Sequence, residues 1–192
     1  LHFNDKAAYG RVVFLQPLDW KTGWPVMGND KDGDGCGEPY LTYRIPKSTS
    51  KVKMNPQESD EFNSTELGLQ WQWHANYNQL WGMPTNNDCL RLYTADLTAT
   101  DEAGKPLPFK SLWQAGNLLL QKTPAKDFTA TAKIRFASKE DDQYGGVIMM
   151  GRDYHALVVR RMGDNFLLQQ LSCKDADLSG IETEKTLATF KP

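Results

Sequence analysis

One short run constrains the fold more than any other: in Phe128-Thr-Ala-Thr-Ala-Lys-Ile-Arg-Phe136, apolar and polar side chains alternate residue by residue. Successive side chains of a strand point to opposite faces of its sheet. Phe128, Ala130, Ala132, Ile134 and Phe136 therefore fall on one side and Thr129, Thr131, Lys133 and Arg135 on the other, which predicts a half-buried strand. Short β-rich runs recur at 11–18, 41–45, 69–74, 89–94, 118–122, 146–150, 156–161 and 166–171, separated by turn residues. Such spacing suits a sandwich or barrel. No window carries a sustained 3.6-residue apolar period with capping signals, so helices should be short and few. The expected class is all-β. A further strand starts near Thr186 just before Pro192, which predicts a sheet short of its last partners, with exposed edges open to pairing.

A chain of 192 residues and 21.7 kDa falls between one domain and two, because single cores take about 100 to 200 residues. Residues 1–47 are dense in Gly, Pro, Asp and Trp. Residues 48–58 hold Ser, Thr, Lys, Asn and Pro with little apolar content, as an extended linker does. Residues 59–192 carry most of the strand candidates. With 40% hydrophobic and 24% charged residues, a core can form. A net charge of -2 and a pI of about 5.9 give no basic field for nucleic acid. No stretch approaches the roughly 18 to 20 apolar residues of a membrane span. Leu1-His-Phe-Asn-Asp5 has neither an initiator Met nor a signal pattern, so the sequence is expected to begin in mid-structure. Cys36, Cys89 and Cys173 are odd in number and scattered, as three semi-buried thiols would be.

Several groups of residues suggest chemistry. Asp30, Asp32, Asp34 and Gly35 follow the first half of an EF-hand loop, where alternating carboxylates converge on a hard cation. The twelfth position from Asp30 is Leu41 rather than a bidentate Glu, and no helical pattern flanks the loop. Two readings stay open: a structural Ca²⁺ site completed by Glu38 or a carbonyl, and an Asp/Gly turn held by its own side-chain hydrogen bonds. Trp71, Trp73, Tyr77 and Trp81 could stack on the apolar faces of sugars. Two Trp at i and i+2 would also share one side of a strand and fill a core, the commoner use of such rings. A nucleophile elbow is absent, and His74 and His155 have no metal-ligand spacing.

The order His2-Phe-Asn-Asp5, Tyr9-Gly-Arg11, Leu15-Gln-Pro-Leu-Asp-Trp20 and Gly23-Trp-Pro25 resembles the last blade of the five-bladed propeller in family 43 glycoside hydrolases, the β-xylosidases and α-L-arabinofuranosidases. Asp30 to Pro39 is similar to the end of that catalytic domain in one branch. Ser59-Asp-Glu-Phe62 and Leu67-Gly-Leu-Gln-Trp-Gln-Trp-His74 resemble the opening of the concanavalin A-like sandwich that follows it. Trp81, Leu90-Arg-Leu92, Leu119-Leu-Gln-Lys-Thr123 and Gly145-Gly-Val-Ile148 continue the likeness. Asn76-Tyr77 departs from the family's Asn-Pro.

The resemblance implies a concanavalin A-like β-sandwich (jelly roll) at 59–192, incomplete at its C-terminus, preceded at 1–47 by a propeller remnant. It also implies an inverting glycosidase as parent, with a general base and a general acid about 6.5 to 9.5 Å apart. In the family these carboxylates, and a third that tunes the acid, sit on earlier blades, so none is expected here. The chain alone should be inactive and should need no cofactor for chemistry. Arg11 matches a Gly-Arg position whose guanidinium binds sugar hydroxyls; the alternative is an exposed strand Arg paired with a nearby Asp. His2 matches a His that holds an ion on the propeller axis in arabinan-degrading relatives; the alternative is a core histidine. Expected partners are xylan, arabinoxylan or arabinan and the absent propeller, in a secreted, periplasmic or cell-surface bacterial setting. The alternative is a stand-alone carbohydrate-binding module.

Overall fold

The computed structural model describes residues 2–191 except 7–9, 21–22, 48, 51, 53–54, 86, 98 and 178–182. It contains fourteen strands and one turn of 3-10 helix at Leu112–Gln114 among the described residues, so the chain is all-β. No described helix is long and apolar enough to cross a membrane. The chain divides into two compact units, 1–55 and 56–192.

The first unit is built from two antiparallel hairpins. β1 (His2–Asp5) pairs β2 (Arg11–Phe14) with His2 opposite Phe14, and β3 (Leu18–Asp19) pairs β4 (Val26–Met27). The single strand expected over 11–18 is broken at Leu15–Pro17. Pro17 has no N–H to give a ladder, and Gln16 spends its side chain on Tyr40, donating to its carbonyl at 3.0 Å and accepting from its N–H at 2.9 Å. The strand expected over 41–45 does not form: Leu41, Tyr43 and Ile45 are exposed, with Tyr43 resting on Tyr40 at 5.0 Å.

The second unit carries β5 (Gln72–Trp73), β6 (Gly82–Thr85), β7 (Cys89–Leu92), β8 (Ala99–Thr100), β9 (Pro106–Leu107) and β10 (Leu119–Leu120), paired as β5 with β10, β6 with β7 and β8 with β9. Its largest element is a four-stranded antiparallel meander of β11 (Tyr144–Met149), β12 (Tyr154–Met162), β13 (Asn165–Cys173) and β14 (Lys185–Phe190). β12 shows the period of two directly: Tyr154, Ala156 and Val158 are buried while His155 and Leu157 are exposed. The buried side meets Leu171 and Cys173 of β13 and Leu112 and Ala115 of the 3-10 turn, which form the core. β12 and β13 join through Gly163 and Asp164, and the positive φ of 60° at Gly163 suits a two-residue hairpin turn. The opposite face carries Val147, Met149, Leu157 and Phe190, all exposed.

The run from Phe128 to Phe136 is not a strand. Its alternation supplies an apolar edge, but a ladder needs a neighbour's N–H and C=O groups, and no described strand pairs with it. Phe136 still docks, edge-on to Phe166 at 5.9 Å. The cysteines also differ from expectation: Cys36 and Cys89 are exposed and only Cys173 is buried.

Candidate functional site

The two tryptophans paired at i and i+2 in the sequence have different neighbours. Trp71 precedes β5 and donates its Nε1–H to Asp60 Oδ2 at 2.8 Å, while its ring lies 5.5 Å from that of Phe62. The same carboxylate accepts from Gln70 Nε2 at 3.0 Å and from the Phe62 N–H at 2.8 Å. Phe62 has φ of 52°, a left-handed conformation disfavoured for a bulky residue. Asp60 thus holds a strained turn and anchors Trp71, which assigns the Ser59-to-Phe62 motif a structural task.

Trp73 belongs instead to a ring series. Its ring stacks on Tyr77 at 5.6 Å and tilts against Trp81 at 5.7 Å. On one side, Trp73 and Tyr77 line an open cleft of about 280 Å³ with Thr65, Glu66 and Pro84. On the other, Trp81 lines a second cleft of about 280 Å³ with Asp96, Leu97, Gln114 and Asn117. The series therefore walls two clefts, each joining an aromatic ring to hydrogen-bonding side chains. Such a pairing can hold a polyhydroxylated ring, the aromatic taking the apolar C–H face and the polar groups the hydroxyls. Of the four rings singled out in the sequence, Trp73, Tyr77 and Trp81 reach a cleft. Trp71 lines neither of the two.

Around Glu184, just before β14, lies a polar cluster that the sequence gives no pattern for. Glu184 accepts from the fully buried Tyr154 hydroxyl at 2.6 Å and from the Tyr144 hydroxyl at 3.5 Å. Arg160 reaches Glu184 at 3.8 Å and Asp142 at 3.4 Å, with its guanidinium 4.3 Å above the Tyr144 ring. Tyr154 Oη also accepts from the Leu112 N–H at 2.9 Å, tying β12 to the 3-10 turn. Burial raises the Glu184 pKa above the ordinary carboxylate value, with the Tyr154 hydrogen bond and the Arg160 charge pulling the other way. Burial, with Glu184 adding to it, also lifts both tyrosine hydroxyls above the usual phenol range. The cluster lines neither cleft, so it reads as a structural network.

In the first unit, Arg11 is exposed on β2, 3.6 Å from Asp5 across the ladder and 4.9 Å from the Phe3 ring. His2 lies in β1, and its side chain, like all of Tyr9, falls outside the described residues. Asp30, Asp32 and Asp34 bring carboxylate oxygens within 4.8 Å of one another on an exposed loop. Asp30 accepts from Gly33 N at 2.8 Å and Gly35 N at 3.2 Å, and Asp34 accepts from Cys36 N at 2.7 Å. Asn29 and Glu38 close the loop by two backbone hydrogen bonds of 2.8 and 3.0 Å. These hard oxygens suit calcium in kind, and the loop's geometry is equally that of a self-bonded turn.

The profile of the β-xylosidase C-terminal concanavalin A-like domain matches residues 59–191. The chain belongs to that family. Within this concanavalin A-like domain lie both clefts and the Glu184 cluster. A β-xylosidase of Formosa agariphila is 31% identical over 168 residues, covering 81% of this chain and 28% of that protein. A non-reducing end α-L-arabinofuranosidase of Bacteroides ovatus is 26% identical over 171 residues, covering 86% of this chain and 29% of that protein. Coverage of 86% exceeds what residues 59–192 can supply, so the likeness runs into the first unit. The chain spans under a third of the length of these curated relatives. No solved structure matches it at a significant level.

Proposed function

We propose that this chain is the C-terminal portion of an inverting glycoside hydrolase acting on xylo- or arabino-oligosaccharides, with the concanavalin A-like domain as its accessory domain. The observation that carries the reading is the family match over residues 59–191, beside relatives about three times as long whose names are β-xylosidase and arabinofuranosidase. Likeness extending into the first unit supports a propeller remnant at 1–47, with Arg11 as a sugar contact once the preceding blades are in place. The exposed apolar sheet face of Val147, Met149 and Leu157 supports a role in buttressing a further layer. Catalysis belongs to carboxylates on those preceding blades, and the setting is extracytoplasmic and bacterial, where xylan, arabinoxylan or arabinan is met.

The test compares this chain with the same chain joined to the coding sequence upstream of Leu1. Nitrophenyl β-xyloside and α-L-arabinofuranoside should be hydrolysed only by the longer protein, with inversion at the anomeric carbon. Release of nitrophenol by the 192-residue chain would refute the claim that its catalytic carboxylates lie elsewhere. The two aromatic clefts favour a second reading, a carbohydrate-binding module that works without chemistry. Retention of this chain on xylan, with no activity in the longer protein, would select it.

A further inference from the structure

We propose that the cleft beside Trp81 is a binding subsite for a neutral sugar ring, separate from the cleft of Trp73 and Tyr77. Choosing a pentose as that sugar rests on the xylo- or arabino-oligosaccharide reading above. The site itself rests on how its groups are held.

The indole of Trp81 is held by its neighbours. Trp73 lies 5.7 Å away, and Gly116 approaches so closely that a Cβ there would stand 2.8 Å from the indole Cη2 and 3.0 Å from Cζ2. Only glycine lets the ring occupy this position without displacement. The polar groups on the rim are held by their own hydrogen bonds. Gln114 Oε1 accepts from the Lys110 N–H at 2.9 Å and the Ser111 N–H at 3.4 Å, which leaves its Nε2 amide to serve as the donor. Asn117 Nδ2 donates to the Tyr93 carbonyl at 3.1 Å, so its Oδ1 is the acceptor. Asp96 adds a carboxylate to the lining.

This set selects a ligand class. A flat indole takes the C–H face of a sugar, and one donor, one acceptor and a carboxylate suit hydroxyls, each of which both donates and accepts. No Lys, Arg or His lines the cleft, and Asp96 disfavours an anion, so a phosphate or uronate lacks its counter-charge. A single carboxylate is too few hard ligands for calcium. The volume of about 280 Å³ lies at the small end of ligand sites, about 300 Å³, which suits a ring rather than a polymer segment. Because the polar groups are already ordered, binding loses little side-chain freedom.

The experiment titrates the 192-residue chain with xylotetraose, arabinotetraose and glucuronate, followed by calorimetry and by NMR of the indole and side-chain amide signals. The neutral sugars should shift the Trp81 indole and the Gln114 and Asn117 amides in the unmutated protein, and glucuronate should not. Asp96→Ala and Asn117→Ala should weaken binding at least tenfold with the fold intact by circular dichroism, while Val147→Ala, which lines neither cleft, should leave it unchanged. Should a variant fail to fold, the shifts in the unmutated chain still decide. Shifts confined to Trp73 and Tyr77 would overturn this subsite and leave sugar binding standing. The absence of any shift at millimolar sugar would overturn it too. Neither outcome bears on the parent glycosidase, which the activity of the longer protein decides.

Discussion

Replacing Tyr154 by Phe removes one oxygen that serves two bonds. The hydroxyl donates to the Glu184 carboxylate at 2.6 Å and accepts from the Leu112 N–H at 2.9 Å, and the side chain is 0% exposed. A hydrogen bond to a charged group contributes about 1.5 to 3 kcal/mol. Leu112 is itself only 7% exposed, so its orphaned N–H costs a further ~1 to 3 kcal/mol. Phe needs no desolvated hydroxyl, which offsets part of this. The expected net loss is about 3 kcal/mol, a large share of the 5 to 15 kcal/mol that holds a domain together. Urea unfolding followed by far-ultraviolet circular dichroism should show the midpoint falling by ~1.5 M at a slope of about 2 kcal/mol/M, with the slope unchanged. Tyr144→Phe is the internal control. Its hydroxyl stands 3.5 Å from Glu184, long for such a bond, so it should cost below about 1 kcal/mol. A Tyr154→Phe protein within about 0.5 kcal/mol of the parent, or a Tyr144→Phe protein equally destabilised, would refute the ranking of these contacts by distance.

Two further perturbations separate the remaining contacts. Glu184 binds its proton more tightly folded than unfolded, so its stabilising contribution is complete below the ordinary carboxylate value of the unfolded chain and is lost as pH rises through the higher folded value. Glu184→Gln should therefore match or exceed the parent in stability at neutral pH and lose that part of the pH dependence. Urea titrations at acidic and neutral pH read this, and a variant more than about 1 kcal/mol weaker at neutral pH would mean that the Arg160 attraction outweighs burial. Asp60→Ala should cost ~2 to 3 kcal/mol, because one carboxylate carries bonds from Phe62, Gln70 and Trp71. It should also red-shift tryptophan emission as Trp71 is released, and unchanged emission would count against the anchor.

The sequence made some of this legible and concealed the rest for identifiable reasons. Strands over 144–149, 154–162 and 165–173 are legible to within a few residues because each is a β-rich run with a neighbour joined by a short turn, and 154–162 alternates as well. The run at 128–136 has the better alternation and forms no ladder, since alternation specifies a face whereas pairing depends on a second segment that no local pattern reports. His2–Asp5 and Gly82–Thr85 were missed for the converse reason: Asn4, Asp5, Gly82 and Pro84 have poor strand propensity, yet partners at Arg11–Phe14 and Cys89–Leu92 pull them into register.

The same logic governs the candidate site. Rings are conspicuous in a sequence, so the cluster of Trp71, Trp73, Tyr77 and Trp81 was identified, but the even spacing of Trp71 and Trp73 suggested a shared face. Asp60 decides otherwise by capturing the Trp71 indole N–H, leaving Trp73, Tyr77 and Trp81 as the series that reaches the clefts. Gln114 and Asn117 carry no sequence signal, because their value lies in backbone groups that fix one end of each amide and present the other. Glu184, Tyr154 and Arg160 are likewise far apart in sequence and meet only through the register of β12 and the chain entering β14. Polar groups positioned by tertiary hydrogen bonds are invisible to periodicity. Substitutions at Gly116, Gln114 and Asn117 should therefore disturb sugar binding more than their ordinary surroundings in the sequence suggest.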